Sequence, residues 1–366
     1  MRRIRVMIVD DVSIVRRLVS NALGADPDIE VVGSAANGRE ALEKIPLVKP
    51  DLVILDYEMP EMDGMETLKE IRKRPSGPKV IFFSSYTRQG AKVSLDALWQ
   101  GADDYATKVT ADNLAAATLC VQLELLPKIK ALCESMTGSQ SDAAAPSPAA
   151  LPAGAATPAT AAGPAVHRAE ILAIGASTGG PRALAAVIEA LPADFPIPVV
   201  VVQHMPPLFT RSLAERIASR SALRCAEGVD GALVEPGTVW IAPGNWHMTV
   251  QRDGTDARLR LSSDPPENSC RPSVDPLFRS VAEVYGAGAL GVILTGMGQD
   301  GLLGVRRLHE CQGRIVVQDE ATSVVWGMPG AVARAGLAHR IVPLHELAGE
   351  ILKHVSAAGR RRATVA

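Results

Sequence analysis

Short apolar runs alternate with longer stretches of helical spacing over the first 134 residues. The runs are 4–9 (IRVMIV), 29–35 (IEVVGSA), 51–56 (DLVILD), 79–84 (KVIFFS) and 103–108 (DDYATK). A helix-like segment follows each, the last from about Thr110 to Glu134. Strands alternating with helices in this way predict an α/β domain with a doubly wound parallel sheet over residues 1–134. From about Gly138 to Pro164 the chain is nearly all Ala, Pro, Ser, Thr and Gly. Frequent prolines exclude a continuous helix there, and nothing in the stretch can bury a core. Residues 135–167 are therefore expected to be a disordered linker that holds two domains at high effective concentration. Alternation resumes over 168–356, with apolar runs at 171–174, 197–203, 238–242, 289–295 and 314–318. The polar segment 244–272 fits an antiparallel hairpin around Asp253-Gly254. The second domain is thus again α/β and mostly parallel. Residues 357–366 are expected to be a disordered basic tail.

In a doubly wound sheet the working residues gather at the carboxyl ends of the strands. In the first domain those ends carry Asp10 and Asp11, Asp56, Ser84 and Lys108. Three carboxylates converging on one edge repel one another and make an oxygen-rich site for a hard cation, with Mg²⁺ favoured. A lysine and a hydroxyl beside them supply the positive charge and the donor that a transferred phosphoryl group needs.

The second domain opens on ILAIGASTGGP, Ile171 to Pro181. This reads as strand, tight turn and helix N-terminus, with Ser177 at the turn. Taken alone the stretch fits a nucleophile, a phosphate cradle or a plain bend. The other strand ends decide among them. His204 follows the 197–203 run and Asp300 follows GVILTGMGQ, so a serine, a histidine and an aspartate can meet at one sheet edge. Glycines in the loop Gly296–Gly301 allow backbone N–H groups to approach a developing oxyanion, with Met297 N–H the first candidate. The order Ser, His, Asp excludes the α/β-hydrolase topology, which runs Ser, Asp/Glu, His. A dinucleotide fingerprint needs G-x-G-x-x-G, and this turn lacks its second glycine. His247 is an even choice between a substrate contact and a satisfied polar residue.

Composition narrows the setting. A formal net charge of −2 leaves no basic excess for a nucleic-acid partner. Five cysteines, an odd number without a C-x-x-C pair, argue for a reducing compartment and against a disulfide frame or a zinc site. The N-terminus runs straight into an acidic strand end and no apolar run approaches the length of a membrane span. A cytoplasmic chain without membrane insertion is expected.

With those residues in view, the first domain resembles a response-regulator receiver domain, including the run Met59 to Gly64 just past Asp56. The resemblance implies that Asp56 accepts phosphate from a sensor histidine kinase. It implies that Asp10, Asp11, Asp56 and the Glu58 carbonyl hold Mg²⁺, that Ser84 and Lys108 contact the phosphoryl group, and that Tyr105 is the aromatic switch. The family usually carries proline where Val109 stands; a cis bond before valine costs roughly 2.5–4 kcal/mol, so a trans loop is expected. The second domain resembles the catalytic domain of the chemotaxis protein-glutamate methylesterases. GASTGG (175–180), QHMP (203–206), IAPGNWHM (241–248), RPSVDPLF (271–278), LTGMGQDG (294–301) and QDEATSVVWGMPGAV (318–332) carry that likeness. It implies a catalytic Ser177, His204 and Asp300, a site lined by Thr178, Met297 and Gly298, and no cofactor in this domain. The runs 271–273 and Met328-Pro329 would lie near that site. The implied reaction is hydrolysis of glutamate methyl esters on chemoreceptors, with deamidation of receptor glutamines, by a monomer. The competing expectation is a receiver-controlled, non-catalytic nucleotide-binding or scaffold protein.

Overall fold

The computed structural model describes residues 2–74, 76–108, 113–137 and 168–355. Residues 138–167 of the expected linker, the expected tail and the Lys108–Val109 bond lie outside them. The first domain runs β1 (Ile4–Val9), α1 (Ser13–Gly24), β2 (Ile29–Ala35), α2 (Gly38–Val48), β3 (Leu52–Asp56), α3 (Gly64–Arg72), β4 (Lys79–Ser85), α4 (Arg88–Trp99), β5 (Asp104–Lys108) and α5 (Leu114–Thr137). The strands pair in parallel in the order β2-β1-β3-β4-β5. Every residue of β3 is buried, as a central parallel strand covered by helices on both faces requires. The order reverses between β1 and β3, so Asp10, Asp11 and Asp56 flank one crevice. Helix α5 continues to Thr137, so the domain boundary expected at 134 falls inside it.

The second domain continues with β6 (Ile171–Ala176), α6 (Gly180–Glu189), β7 (Val199–Gln203), α7 (Phe209–Ala218), β8 (Arg224–Glu227) and β9 (Thr238–Ile241). The hairpin follows as β10 (His247–Asp253) and β11 (Asp256–Ser262). Then come α8 (Val274–Tyr285), β12 (Ala289–Ile293), α9 (Leu302–Glu310), β13 (Arg314–Gln318), α10 (Met328–Arg334), β14 (Arg340–Val342) and α11 (Leu347–His354). Seven strands form a parallel sheet in the order β14-β13-β12-β6-β7-β9-β8. The chain builds outward from β6 on one side and then returns to β12 on the other. The reversal leaves a crevice beside the carboxyl end of β6, where Ser177 stands. Two edge strands, β8 and β14, are not evident in the hydrophobic pattern: β8 is half-exposed and polar, and β14 has three residues.

The two domains share one continuous hydrophobic core that spans Phe82 and Tyr105 of the first and Phe209 and Leu213 of the second. Tyr105 stacks on Phe209 with ring centroids 4.7 Å apart, and Tyr86 stacks on the same ring at 6.3 Å. Tyr86 Oη donates to Pro207 O at 3.1 Å. Arg216 of α7 pairs with Asp96 of α4 and lies over the Trp99 ring, 4.2 Å from its centroid. On the α5 side, Met297 and Val324 pack against the cluster that contains Val121 and Leu125.

Candidate active site

Ser177 leaves the end of β6 on a turn whose last residue, Gly179, holds φ +76°. That left-handed conformation is open to glycine at little cost and lets the chain swing directly into α6. Gly180 N–H donates to Ser177 C=O at 2.7 Å, closing the turn, and Ser177 N–H donates to Thr295 C=O at 3.0 Å, tying it to the loop after β12. At Gly296 a Cβ would stand 2.8 Å from Ser177 Cβ and 2.4 Å from Met328 Sδ, so that glycine is required by the close approach of the two loops. Among the described residues no protein acceptor meets Met297 N–H, which leaves it available to an oxyanion. Thr178 and Gly298 stand in the same two loops.

His204 follows β7, the neighbour of β6, and its backbone N–H donates to Ala176 C=O at 3.1 Å. Its Nε2 donates to Asp300 Oδ2 at 2.7 Å. Asp300 is 2% exposed and is surrounded by donors. Oδ2 also accepts from Val274 N–H at 2.7 Å, while Oδ1 accepts from Ser273 Oγ at 2.7 Å, Asn268 Nδ2 at 2.7 Å, Gly301 N–H at 2.9 Å and Asp275 N–H at 3.3 Å. Several of these come from the first turn of α8, where the helix dipole also favours a negative charge. Burial by itself would raise the Asp300 carboxyl, but the His204 bond and charge, with Val274 N–H and Ser273 Oγ, hold it well below the usual carboxylate range. Burial likewise opposes charge on His204, yet Asp300 and the Cys270 sulfur raise the imidazole to about 10.

The structure therefore brings His204 and Asp300 into contact and sets Ser177 on the adjacent strand end. It does not bond Ser177 Oγ to His204: the histidine's other nitrogen, Nδ1, faces Cys270 Sγ at 3.6 Å. With Nε2 on Asp300 and Nδ1 on Cys270 Sγ, the imidazole is not aimed at Ser177 Oγ in this arrangement. The first domain reaches the same turn. Asp104 Oδ2, fully buried, accepts from Thr178 Oγ1 at 3.1 Å, and burial raises its carboxyl above the usual range. A carboxylate against Thr178 is the wrong group to place beside a bound phosphate, which disfavours the phosphate-cradle reading. His247 is a satisfied core residue: Nε2 meets Pro265 O at 3.1 Å and Nδ1 accepts from Ser273 N–H at 3.3 Å.

At the other site, one ligand atom each from Asp10, Asp11 and Asp56 lies within 4.8 Å of the others. Lys108 Nζ sits 2.8 Å from Asp10 Oδ2 and 2.7 Å from Asp56 Oδ1. Asp56 Oδ2 is buried without a hydrogen-bond partner. Burial raises the Asp56 carboxyl to about 6, against the lowering effect of Lys108. Clustered carboxylates with an unpartnered buried oxygen fit a hard divalent cation. Ser84 is not turned toward Asp56; its hydroxyl shares a 2.6 Å hydrogen bond with Ser94. Tyr105 is buried, held between Phe209 and Lys128 Nζ, which lies 4.9 Å from its ring centroid.

Asn268, Cys270 and Asp275 belong to the active-site network but were not singled out by sequence reasoning. Cys270 was only counted, and Asp275 lay unremarked within RPSVDPLF. The one available signal was a polar Asn-Ser pair just before that run.

Comparisons with known proteins identify the two domains. A sequence model of the response regulator receiver domain matches residues 6–118, and one described as CheB methylesterase matches residues 172–351. A protein-glutamate methylesterase/protein-glutamine glutaminase of Trichodesmium erythraeum is 48% identical over 97% of this chain and 100% of its own length. A namesake from a Nocardioides species is 46% identical over 96% of each chain. The crystal structure of the Thermotoga maritima CheB methylesterase catalytic domain covers 51% of this chain and 99% of that one, at 41% identity and a TM-score of 0.50. The chain belongs to the family of protein-glutamate methylesterases/protein-glutamine glutaminases that carry a receiver domain.

Proposed function

We propose that Ser177, His204 and Asp300 catalyse acyl transfer from glutamate methyl esters and glutamine amides of chemoreceptors, under control of phosphorylation in the receiver domain. The observation that carries the site assignment is the His204–Asp300 bond of 2.7 Å at the strand end next to Ser177. With Nε2 held by Asp300, Nδ1 exchanges Cys270 Sγ for Ser177 Oγ and, in the neutral imidazole, takes its proton as Oγ attacks the side-chain carbonyl carbon. Met297 N–H meets the oxyanion, and one such donor is worth about 10²–10³ in rate. His204 then returns the proton to the departing methoxide, releasing methanol, or to the departing amine, releasing ammonia. Water repeats the cycle on the acyl-enzyme with the same base. These steps use Ser177, His204, Asp300 and backbone donors.

The receiver domain carries a divalent metal site of the kind typical of such domains. We take the ion to be Mg²⁺, held by Asp10, Asp11, Asp56 and the Glu58 carbonyl; bound there, it would neutralise the carboxylates and a transferred phosphoryl group. Asp56 is the acceptor from a sensor histidine kinase, and Lys108 meets the phosphoryl oxygens. Ser84 reaches that group by rotating off Ser94. The docked receiver, with Asp104 on Thr178 and α5 beside Met297, is the covered state, and phosphorylation favours the uncovered one by its differential free energy. No helix among the described residues is long and apolar enough to cross a membrane; we place the enzyme in the cytoplasm, acting as a monomer on receptor membranes. The test is methanol release from methylated receptor membranes with and without a small phosphodonor. Ser177→Ala is expected to abolish release in both conditions, and an active Ser177→Ala enzyme overturns the assignment.

A further inference from the structure

Between β11 and α8 the chain makes a tight reverse turn, residues 267–270. Cys270 N–H donates to Glu267 C=O at 2.8 Å, and Glu267 N–H donates to Cys270 C=O at 3.2 Å. Both central residues hold positive φ, +51° at Asn268 and +61° at Ser269, the signature of a type I′ turn. Asparagine enters that region more readily than serine, so the turn persists only where its surroundings over-determine it. Arg279 of α8 supplies that constraint. It grips Glu267 through paired N–H···O bonds of 2.9 and 2.6 Å, a planar fork with its own directionality.

The consequence is where the turn aims Asn268. Its Nδ2 donates one hydrogen to Asp300 Oδ1 at 2.7 Å and the other to Asp275 Oδ2 at 2.8 Å. Both partners are carboxylate oxygens, so the nitrogen and not the amide oxygen must face them. Asp275 is 1% exposed. Burial raises its carboxyl, and the neighbouring Asp300 charge raises it further. Two buried carboxylates side by side either share a proton or require donors between them. An amide that gives one hydrogen to each satisfies both without adding a charge. The titratable groups facing this pair are His204 after β7, Cys270 in the turn and Arg279 on α8.

We propose that Asn268 is a positioning residue for acyl transfer, whose amide fixes the Asp300 carboxylate so that Oδ2 meets His204 Nε2 and keeps Asp275 from competing for its charge. The inference rests on the assignment of Ser177, His204 and Asp300 made above. Asn268 acts through Asp300 and not on the substrate, so its loss changes kcat and leaves KM in place.

The informative variants separate the turn from the amide. Asn268→Gly keeps the positive φ at no steric cost and deletes both donors; Asn268→Asp keeps the shape and replaces the donors with a third carboxylate. Both are tested as the full chain with saturating phosphodonor, so that receiver release does not limit the rate. Asn268→Gly is expected to lower kcat roughly 10–100-fold, the rate equivalent of one hydrogen bond to a charged group, with KM within about twofold. Asn268→Asp is expected to lower it further. A misdirected Asp300 no longer stabilises the imidazolium, so the acidic limb of the kcat–pH profile moves to lower pH in Asn268→Gly, whereas the added carboxylate of Asn268→Asp opposes that movement and its kcat alone is read. A kcat within about twofold of wild type in Asn268→Gly overturns the proposal, as does a loss of kcat with an unmoved acidic limb. Ser177→Ala in the same assay separates the two readings. If it is inactive while Asn268→Gly is unaffected, only the positioning role fails; if it is active, the triad assignment and the positioning role fall together.

Discussion

Arg216→Ala tests whether the contact between the domains is the restraint on the enzyme. Arg216 is on α7 of the catalytic domain and has no contact with Ser177, His204 or Asp300. Its guanidinium lies 4.2 Å from the Trp99 centroid and pairs with Asp96, both on the receiver's α4. With the arginine side chain 23% exposed and the aspartate 39%, solvent screens the ion pair to about 0.5 kcal/mol. The partly desolvated cation–π contact contributes about 1 kcal/mol. Removing both weakens docking by about 1.5 kcal/mol, close to a tenfold shift of the docked–undocked equilibrium. Arg216 Nε is buried without a partner, so its deletion recovers a little of that loss. Methanol release by the unphosphorylated chain should rise close to tenfold, the phosphorylated rate should stay within about twofold, and the stimulation ratio should shrink accordingly. A basal rate within twofold of wild type, in a variant with an unchanged circular dichroism spectrum, would refute the reasoning. So would a phosphorylated rate that rises in step with the basal one.

Two further outcomes follow from the site itself. Gly296→Ala sets a Cβ 2.8 Å from Ser177 Cβ and 2.4 Å from Met328 Sδ; displacement of the nucleophile loop should cost at least about tenfold in phosphorylated kcat, and undiminished kcat would show that the loops can part freely. The Asp300–His204 pair should also stabilise the fold over a defined pH window. Asp300 is held below its ordinary 3.8, so its contribution is present above that value and is lost as pH falls through the lowered folded pKa. His204 is raised from 6.5 to about 10, so its contribution is complete below 6.5 and fades as pH rises toward 10. The gap in thermal midpoint between wild type and Asp300→Asn should therefore be widest between about pH 4 and 6.5 and narrow on both sides. A gap independent of pH would mean that the pair adds nothing through its charges.

The two sheets and the residues at their strand ends were legible because parallel strands buried on both faces read as short apolar runs, and because such sheets work at their carboxyl edges. That logic set Asp10, Asp11, Asp56 and Lys108 at one crevice before any coordinates, and Ser177, His204 and Asp300 at another. It did not find β8 or β14, which are too polar or too short to leave a pattern. Nor did it find the end of α5, where Ser-Met-Thr carries the helix on to Thr137. Ser84 was assigned by its strand end and by the likeness to receiver domains, which fix where Cα sits but not that its hydroxyl turns to Ser94.

What the sequence by itself determined is the chemistry and its approximate location, since residue type and strand period are local properties. Tertiary structure alone decided how that chemistry is restrained and aimed. Tyr105 on Phe209, Arg216 on Trp99 and Asp104 on Thr178 join positions 74 to 117 residues apart across the domain seam, and no periodicity within either domain encodes such pairings. The Asn268 amide reaches Asp300, 32 residues away, only because two positive φ angles and the Arg279–Glu267 fork turn it inward. Directions of that kind come from side chains packing against distant parts of the chain, and they exist only once the chain has folded.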